Sequence, residues 1–388
     1  MNKLIIVTSS FFDFSKDEIT IGGLQTYISD LCELARNNGV IDVKIIQFLD
    51  NSDSSNLVHR IIDGIQLIGY PMRIHPFKSK SQTSFDALYK EFNCVGSVFI
   101  IATDQLDIKS KENNVVTIQH GIAFDIPGSM IGGFWGKARF LQSLSKILRC
   151  IKNARRLHYS RNTVCVDYNY FNWFRTIDSL PEDKVMRVIP NHVKRTIRAE
   201  ELVAKLDFKK DIKSVVFARR FVDYRGTSLF IKVIKKLFTN GYRISVTFAG
   251  DGPLKSAIEK LREEYPDYIH ITHYISSESV QFHKLFDIAV VPTIFSEGTS
   301  LSLAEAMAAG CYPIASHVGG MTNMIIDGFN GSLAYPDENS LYSVLRSVLS
   351  MEQDDFNQVV RNAYNTAKTA FSKEKWDLAW FDFLDNLT

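Results

Sequence analysis

The feature that most constrains this chain is a rhythm, run through twice, of short apolar segments alternating with stretches of helical spacing. Leu4–Thr8, Val43–Phe48, Ser97–Ile101, Val115–Ile118, Thr163–Val166 and Val185–Ile189 read as strands, with a helix over Leu24–Arg36. A strand that is apolar at successive rather than alternate positions is buried on both faces, the condition of a parallel sheet covered by helices. The rhythm restarts after Ile189-Pro190-Asn191. Ser214–Ala218, Arg243–Ala249, Ile288–Val291, Tyr312–Ala315 and Gly331–Ala334 read as strands, and helices are predicted over Thr227–Phe238, from Leu254 and from Leu301. Two doubly wound α/β domains follow, over residues 1–190 and 191–370, a division that 388 residues also favour. The remaining residues, 371–388, read as an amphipathic helix. Its Trp376, Trp380 and Phe383 need a surface, and the N-terminal domain is the expected one.

In such sheets ligands bind beyond the carboxyl ends of the strands, so the residues that follow strands carry the information. The densest such segment is Pro292-Thr293-Ile294-Phe295-Ser296-Glu297-Gly298-Thr299-Ser300-Leu301, leading into Ser302-Leu303-Ala304-Glu305-Ala306-Met307-Ala308-Ala309-Gly310. A helix opening near Ser300 would present the free amides of Thr299, Ser300 and Leu301 at its positive end, a place for a phosphate. Glu297 in the loop and Glu305 two turns into the helix could each accept a pair of hydroxyls. Glu305 sits among apolar residues, where a carboxylate needs a partner. The bland alternative is a capping residue followed by a solvated one.

Arg219-Arg220-Phe221-Val222-Asp223-Tyr224-Arg225-Gly226 follows the strand Ser214–Ala218, and cations there suit a diphosphate, although a surface charge cluster would look the same. Gly250-Asp251-Gly252-Pro253 allows close approach of a backbone to a ligand, or simply a tight turn. In the N-terminal half, Gly22-Gly23 opens the first helix and Gln119-His120-Gly121 follows a strand. A lone His120 would more often be structural than catalytic.

Together and in this order these segments resemble the retaining glycosyltransferases of family 4, which have the GT-B fold. The resemblance runs over nearly the whole chain and is sharpest from about 189 to 335. It is carried by Glu297 and Glu305 with Ala306-Met307-Ala308-Ala309-Gly310 behind them, and by Arg220 through Arg225-Gly226, where Arg225 stands for the usual Lys. Val318-Gly319-Gly320, Gly328-Phe329-Asn330-Gly331, Pro190-Asn191 and Gly22-Gly23 match further landmarks. The resemblance implies two Rossmann-like domains facing across a cleft, the N-terminal one binding acceptor and the C-terminal one a nucleotide sugar.

It also implies roles. Glu297 would hold hydroxyls of the donor sugar and Glu305 the ribose, while Arg220 and Arg225 would neutralise the diphosphate. Gly22, Gly23, Gly250, Gly252, Gly298, Thr299, Ser300 and Leu301 would complete the donor site, and His120 would line the reaction centre. No Asp-x-Asp element occurs in the sequence, and the fold class works without a metal, so no cofactor is expected. Three departures bear on specificity rather than on the diphosphate set: His192 for a usual Gly, Met321-Thr322-Asn323 for apolar-Pro-Glu, and Asp167 for a common Ser. The reaction expected is hexosyl transfer from a UDP- or GDP-sugar to a saccharide, the expected acceptors being lipid-linked surface-polysaccharide or lipopolysaccharide intermediates. A nucleotide-sugar epimerase of the same fold, or an inactive partner subunit, are the other readings.

Charge and composition limit the partners. The net charge of +2 gives no overall preference for nucleic acid or any other polyanion. The scattered Cys32, Cys94, Cys150, Cys165 and Cys311 read as reduced thiols. Leu4–Val7 is too short and too soon followed by charge to be a secretory core, and no apolar run approaches the ~20 residues of a membrane span. A cytoplasmic protein is expected. One stretch is unlike the rest: between Ile126 and Val166 there are 8 Lys or Arg and no Asp or Glu. Trp135, Lys137, Arg139, Lys146, Arg149 and Lys152 mix there with Phe134, Phe140, Leu141, Leu144, Ile147, Leu148 and Ile151 at helical spacing. That pattern fits either a helix lying on an anionic membrane, on the inner face of the cytoplasmic membrane, or a core-packed helix with a solvated basic face.

Overall fold

The computed structural model describes residues 1–20, 22–49, 57–122, 125, 139–208, 212–295 and 297–387, with the backbone alone for 139–142. These residues group into two units. Unit 1 holds the residues up to His120, Ile147–Ile189, and those from Asp377 onward; unit 2 holds the described part of 121–146 and Pro190–Trp376.

Unit 1 is built on β1 (Lys3–Thr8), β2 (Phe12–Asp13), β3 (Glu18–Ile19), β4 (Asp42–Leu49), β5 (Val58–Ile62), β6 (Ile65–Pro71), β7 (Ser97–Ile101), β8 (Val115–Gln119), β9 (Asn162–Cys165) and β10 (Val185–Val188). β2 and β3 form a small hairpin. The others make one sheet in the order β10-β9-β8-β7-β1-β4-β6-β5. Every neighbouring pair is parallel except β5 with β6. The central strands β7 and β8 are buried at every position, as their unbroken apolar runs require. Helices α1 (Gly23–Asn37), α2 (Lys80–Phe92), α3 (Arg139–Leu157, of which Ile147 onward belongs to this unit) and α4 (Tyr168–Ile177) connect the strands. The β5–β6 hairpin is an addition to the sequence expectation. It turns at Asp63-Gly64, both with positive φ (49° and 77°), the two-residue turn that a right-twisted hairpin favours.

Unit 2 carries β11 (Ser214–Ala218), β12 (Ser245–Ala249), β13 (Ile269–Thr272), β14 (Ile288–Val291), β15 (Tyr312–Ser316) and β16 (Ser332–Ala334). They form an all-parallel sheet in the order β13-β12-β11-β14-β15-β16. Its helices are α5 (Ala199–Asp207), α6 (Thr227–Thr239), α7 (Lys255–Glu264), α8 (Ser279–His283), α9 (Leu301–Ala308), α10 (Glu338–Leu349) and α11 (Gln353–Ala370). On one side of β11 an aromatic core forms: the Phe217 ring stacks on Phe230 at 5.6 Å and meets Phe248 at the same distance. The helix α12 (Lys373–Asp385) closes the chain. From Asp377 it belongs to unit 1, where Trp380 is fully buried and its indole N–H donates to the Tyr27 hydroxyl at 2.9 Å.

Both sheets reverse direction at one point. In unit 1 the chain runs outward one way from β1 through β4 and the other way from β7. In unit 2 the two halves part between β11 and β14. At such a point the loops that follow two adjacent strands diverge and leave a crevice at their carboxyl ends.

Candidate functional site

The loops at the reversal point of unit 2 are Arg219–Gly226, after β11, and Pro292–Ser300, after β14. They bring two arginines and a glutamate together. Arg219 Nη2 donates to Glu297 Oε2 at 2.6 Å, and Arg225 Nη1 donates to the same oxygen. Thr293 accepts from Arg219 and donates its hydroxyl to Glu297 Oε2 at 2.9 Å. The side chains of Arg219 and Glu297 are 7% and 9% exposed, and that of Arg225 is 26% exposed.

Burial alone would raise the Glu297 carboxyl, but the two guanidinium groups more than offset it and hold it below its ordinary value. Burial depresses Arg219, with the carboxylate of Glu297 opposing the change. The trio carries a net charge of one positive unit, and Glu297 Oε1 accepts no hydrogen bond among the described residues. A partner that brings hydroxyls and negative charge would satisfy both features.

The loop that holds Glu297 is gripped by glycines. A Cβ on Gly319, where φ is +54°, would lie 2.0 Å from the Glu297 carbonyl oxygen, and one on Gly320 would lie 2.5 Å from the carbonyl carbon of Gly298. The Gly320 amide donates to the Glu297 carbonyl at 3.0 Å. Asn191 ties the same loop to the start of unit 2, its side-chain amide donating to the Thr299 carbonyl at 2.6 Å. α9 then begins after Ser300, which caps it without a side-chain hydrogen bond, so the first amides of the helix keep their partial positive charge.

Glu305 lies further along α9 and accepts a hydrogen bond from the Ser279 side chain; loss of hydration pushes its carboxyl up to about 7. The nearby Tyr274 hydroxyl is raised by its burial, with the charge of Glu305 adding and that of Arg219 opposing. The half-buried carboxylate is therefore paired with no cation among the described residues.

Several expectations change in detail. Arg219, part of the cationic segment but given no role of its own in the sequence, is the buried arginine that holds Glu297. Arg220 instead points to solvent and has no side-chain partner among the described residues. The parity of the chain carried that signal: Arg219 and the fully buried Phe221 lie two residues apart on one side, and Arg220 lies on the other. Gly250 and Gly252 answer a close approach of the chain to itself, since a Cβ on either would fall 2.1 Å and 2.6 Å from the carbonyl oxygens of Arg219 and Phe221. His192 is a packing residue, its ring edge-on to Trp376 at 4.6 Å.

In unit 1, His120 follows β8 and donates Nε2–H to the Ala102 carbonyl at 2.8 Å, just past β7. That leaves Nδ1 as the unprotonated nitrogen, and burial lowers the pKa of the ring. Its ring stands edge-on to Tyr27 at 5.4 Å, the residue that receives the Trp380 indole. Gly22 caps α1 in an extended conformation, and Gly23 is its first residue. Asp167 caps α4, Oδ1 accepting from the Asn169 and Tyr170 amides at 2.8 and 3.2 Å. Burial pushes that carboxyl up to about 6. Among the membrane candidates, Trp135 and Lys137 lie outside the described residues, as does the Arg139 side chain. Lys146 and Lys152 are exposed and Arg149 is half-buried. Among the described residues no group of three His, Cys, Asp or Glu is placed to hold a metal, and no helix is long and apolar enough to cross a membrane.

Residues 198–366 match the family model described as glycosyl transferases group 1. The phosphatidylinositol N-acetylglucosaminyltransferase gpi3 subunit of Schizosaccharomyces pombe is 24% identical over 209 residues, 50% of this chain and 45% of that protein. The chain thus spans about half the length of that curated relative. Among solved structures, sucrose-phosphate synthase from Thermosynechococcus elongatus superposes with a TM-score of 0.68 at 15% identity, over 99% of both chains. Anabaena HepE in complex with UDP superposes at 0.67 and 11% identity, over 99% of this chain and 100% of the other. At these identities the structures speak for the fold, two Rossmann-like units of the GT-B class.

Proposed function

We infer from the match of residues 198–366 to the family model for glycosyl transferases group 1 that the chain is a hexosyltransferase. It takes a sugar from a UDP- or GDP-linked donor and passes it, with retention at the anomeric carbon, to a saccharide acceptor. The observation that carries this reading is the Arg219–Glu297–Arg225 cluster at the reversal point of unit 2, beside the open amino end of α9.

Each group has work suited to its chemistry. Arg225 and the exposed Arg220, with the amides at the start of α9, neutralise a diphosphate as it departs. Arg219 is the buried anchor that keeps Glu297 ionised and aimed, and Glu297 Oε1, which accepts no hydrogen bond among the described residues, takes hydroxyls of the donor sugar. Glu305 accepts the ribose hydroxyls. His120 is the contribution of unit 1, a neutral imidazole with Nδ1 available for the reaction centre. These residues supply the charge that a metal would otherwise bring, so the reading needs none.

The acceptor is a lipid-linked intermediate of a surface polysaccharide or lipopolysaccharide, and the enzyme works on the cytoplasmic side of the membrane. Support for the lipid comes from the exposed aliphatic residues of the basic helix α3 and from the relative whose name includes phosphatidylinositol.

Transfer of labelled sugar from a panel of nucleotide sugars into an extract of lipid-linked saccharides tests this reading. Label should enter the lipid fraction with the donor's anomeric configuration, read by NMR coupling constants. Arg225→Ala should lower the rate by about a hundredfold or more. Conversion of the donor without any acceptor would replace this reading with an epimerase. Absence of both turnover and donor binding would replace it with an inactive partner subunit.

A further inference from the structure

A basic helix that packs its aliphatic stripe on the core would be unremarkable, but α3 does the opposite. Leu144, Ile147, Leu148 and Ile151 are 37%, 56%, 55% and 46% exposed. Their spacing of i, i+3, i+4 and i+7 puts all four on one face of the helix. The face that α3 turns inward is a different one. Ala154 and Leu157 are buried, and Asn153 offers its carbonyl to the Tyr170 hydroxyl at 2.9 Å. The end of the helix is anchored as well. Arg156, with its side chain 12% exposed, donates to Asp107 Oδ1 at 2.5 Å, and Lys184 donates to the Leu157 carbonyl at 2.8 Å. At about 100° per residue, Asn153, Arg156 and Leu157 lie well around the helix from the centre of the stripe, and Ala154 borders it on the Ile147 side. The fold therefore fixes the helix with its aliphatic face outward.

The charge on this helix is of one sign. Its sequence, Arg139–Leu157, holds six basic residues and no acidic one. Lys146 and Arg155 are exposed, and Lys152, with its side chain 59% exposed, reaches Asp107 at 3.0 Å. A second copy of the chain docking on this face would set basic residues against basic residues, which opposes association. An anionic surface with an apolar layer beneath it complements both features at once: aliphatic side chains enter the headgroup boundary while Lys and Arg stay with the phosphates.

We propose that the outward face of α3, formed by Leu144, Ile147, Leu148 and Ile151 and bordered by Lys146, Lys152 and Arg155, docks the protein on an anionic lipid membrane. The inference deepens the lipid-linked acceptor reading and rests on it for its purpose, though its evidence is the helix itself.

The experiment is co-sedimentation of the full chain with vesicles of phosphatidylcholine alone or with about a third phosphatidylglycerol, at low and high salt. Binding is expected on the anionic vesicles, at least tenfold weaker on neutral ones and weakened by salt. The triple variant Ile147→Ser, Leu148→Ser, Ile151→Ser should lose at least tenfold in partitioning. The pair Lys146→Glu and Arg155→Glu should do the same, with melting temperature and nucleotide-sugar affinity unchanged in both. Equal binding to neutral vesicles, no binding to either, or variants that bind like the parent would overturn the proposal. So would a dimer in light scattering that the serine variant dissolves, since the face would then belong to a second copy. Nucleotide-sugar affinity is measured separately, so failure on vesicles leaves the transferase reading standing, and loss of nucleotide binding leaves the membrane result intact.

Discussion

The carboxyl of Glu305 offers the sharpest quantitative consequence of the site. Half-buried beside Tyr274 and held by the Ser279 side chain, it loses its proton near pH 7 rather than in the ordinary carboxylate range. Ribose hydroxyls donate to a carboxylate far better than to a carboxylic acid, so binding of a nucleotide sugar selects the ionised form. The sign follows: affinity is full above about pH 8 and falls as pH drops through 7, because the free protein must first release a proton. With a free-state pKa of about 7, only about a tenth of the sites are ionised at pH 6. The dissociation constant should then rise about tenfold between pH 8 and pH 6, or about 1.4 kcal/mol.

A nucleotide sugar is the right probe, because its diphosphate has no terminal phosphate that titrates in this window. Isothermal titration at the two pH values, in buffers of different ionisation enthalpy, should show both the weakening and the release of a proton. Glu305→Gln should bind more weakly at pH 8 and show no such slope. A dissociation constant constant within about twofold across the range, or a slope that survives in Glu305→Gln, would refute the assignment of Glu305 to the ribose.

Other consequences bear on the frame around the site. Arg219→Ala leaves the buried Glu297 without its anchor and should cost about 3–5 kcal/mol in urea denaturation; a loss below about 1 kcal/mol would mean the pair is not the core of the cluster. Gly319→Ala must place a methyl group 2.0 Å from the Glu297 carbonyl at a positive φ. It should cost about 1–3 kcal/mol and weaken donor binding with it, and unchanged melting and affinity would argue against the grip described here. Trp380→Ala removes a fully buried indole and its hydrogen bond to Tyr27, and should cost about 3–5 kcal/mol of unit 1 stability, read by the loss of hydrogen-exchange protection in β1 and α1.

The parts of the fold that were legible in the sequence share one physical property. β7, β8, β11 and β14 are apolar at every or nearly every position because helices cover both faces, and such runs cannot be mistaken for alternating strands. β13, at the sheet edge, has only its first residue fully buried, so Ile269-His270-Ile271-Thr272 left no such run. The hairpin of β5 and β6 hid for a related reason. Its edge strand carries exposed His59 and Arg60, and the turn signal Asp63-Gly64 had no apolar alternation on both sides to frame it.

In the site, Glu297 and Glu305 were legible because carboxylates in an apolar or glycine-rich setting demand an explanation. Arg219 was not, because two adjacent arginines after a strand look alike until the parity set by the buried Phe221 separates them. The outward stripe of α3 could be read as a pattern, but which face the helix turns inward depends on Asp107, Tyr170 and Lys184, far away in sequence.

The most direct test of the central claim, that the reversal point of unit 2 binds a nucleotide sugar, is titration of the intact chain with UDP- and GDP-linked hexoses, alongside Arg225→Ala. Selective binding of one nucleotide class, lost by a factor of about ten or more in Arg225→Ala while the fold stays intact, is the result this account predicts. Failure of every nucleotide sugar to bind, or binding that Arg225→Ala leaves untouched, would contradict it.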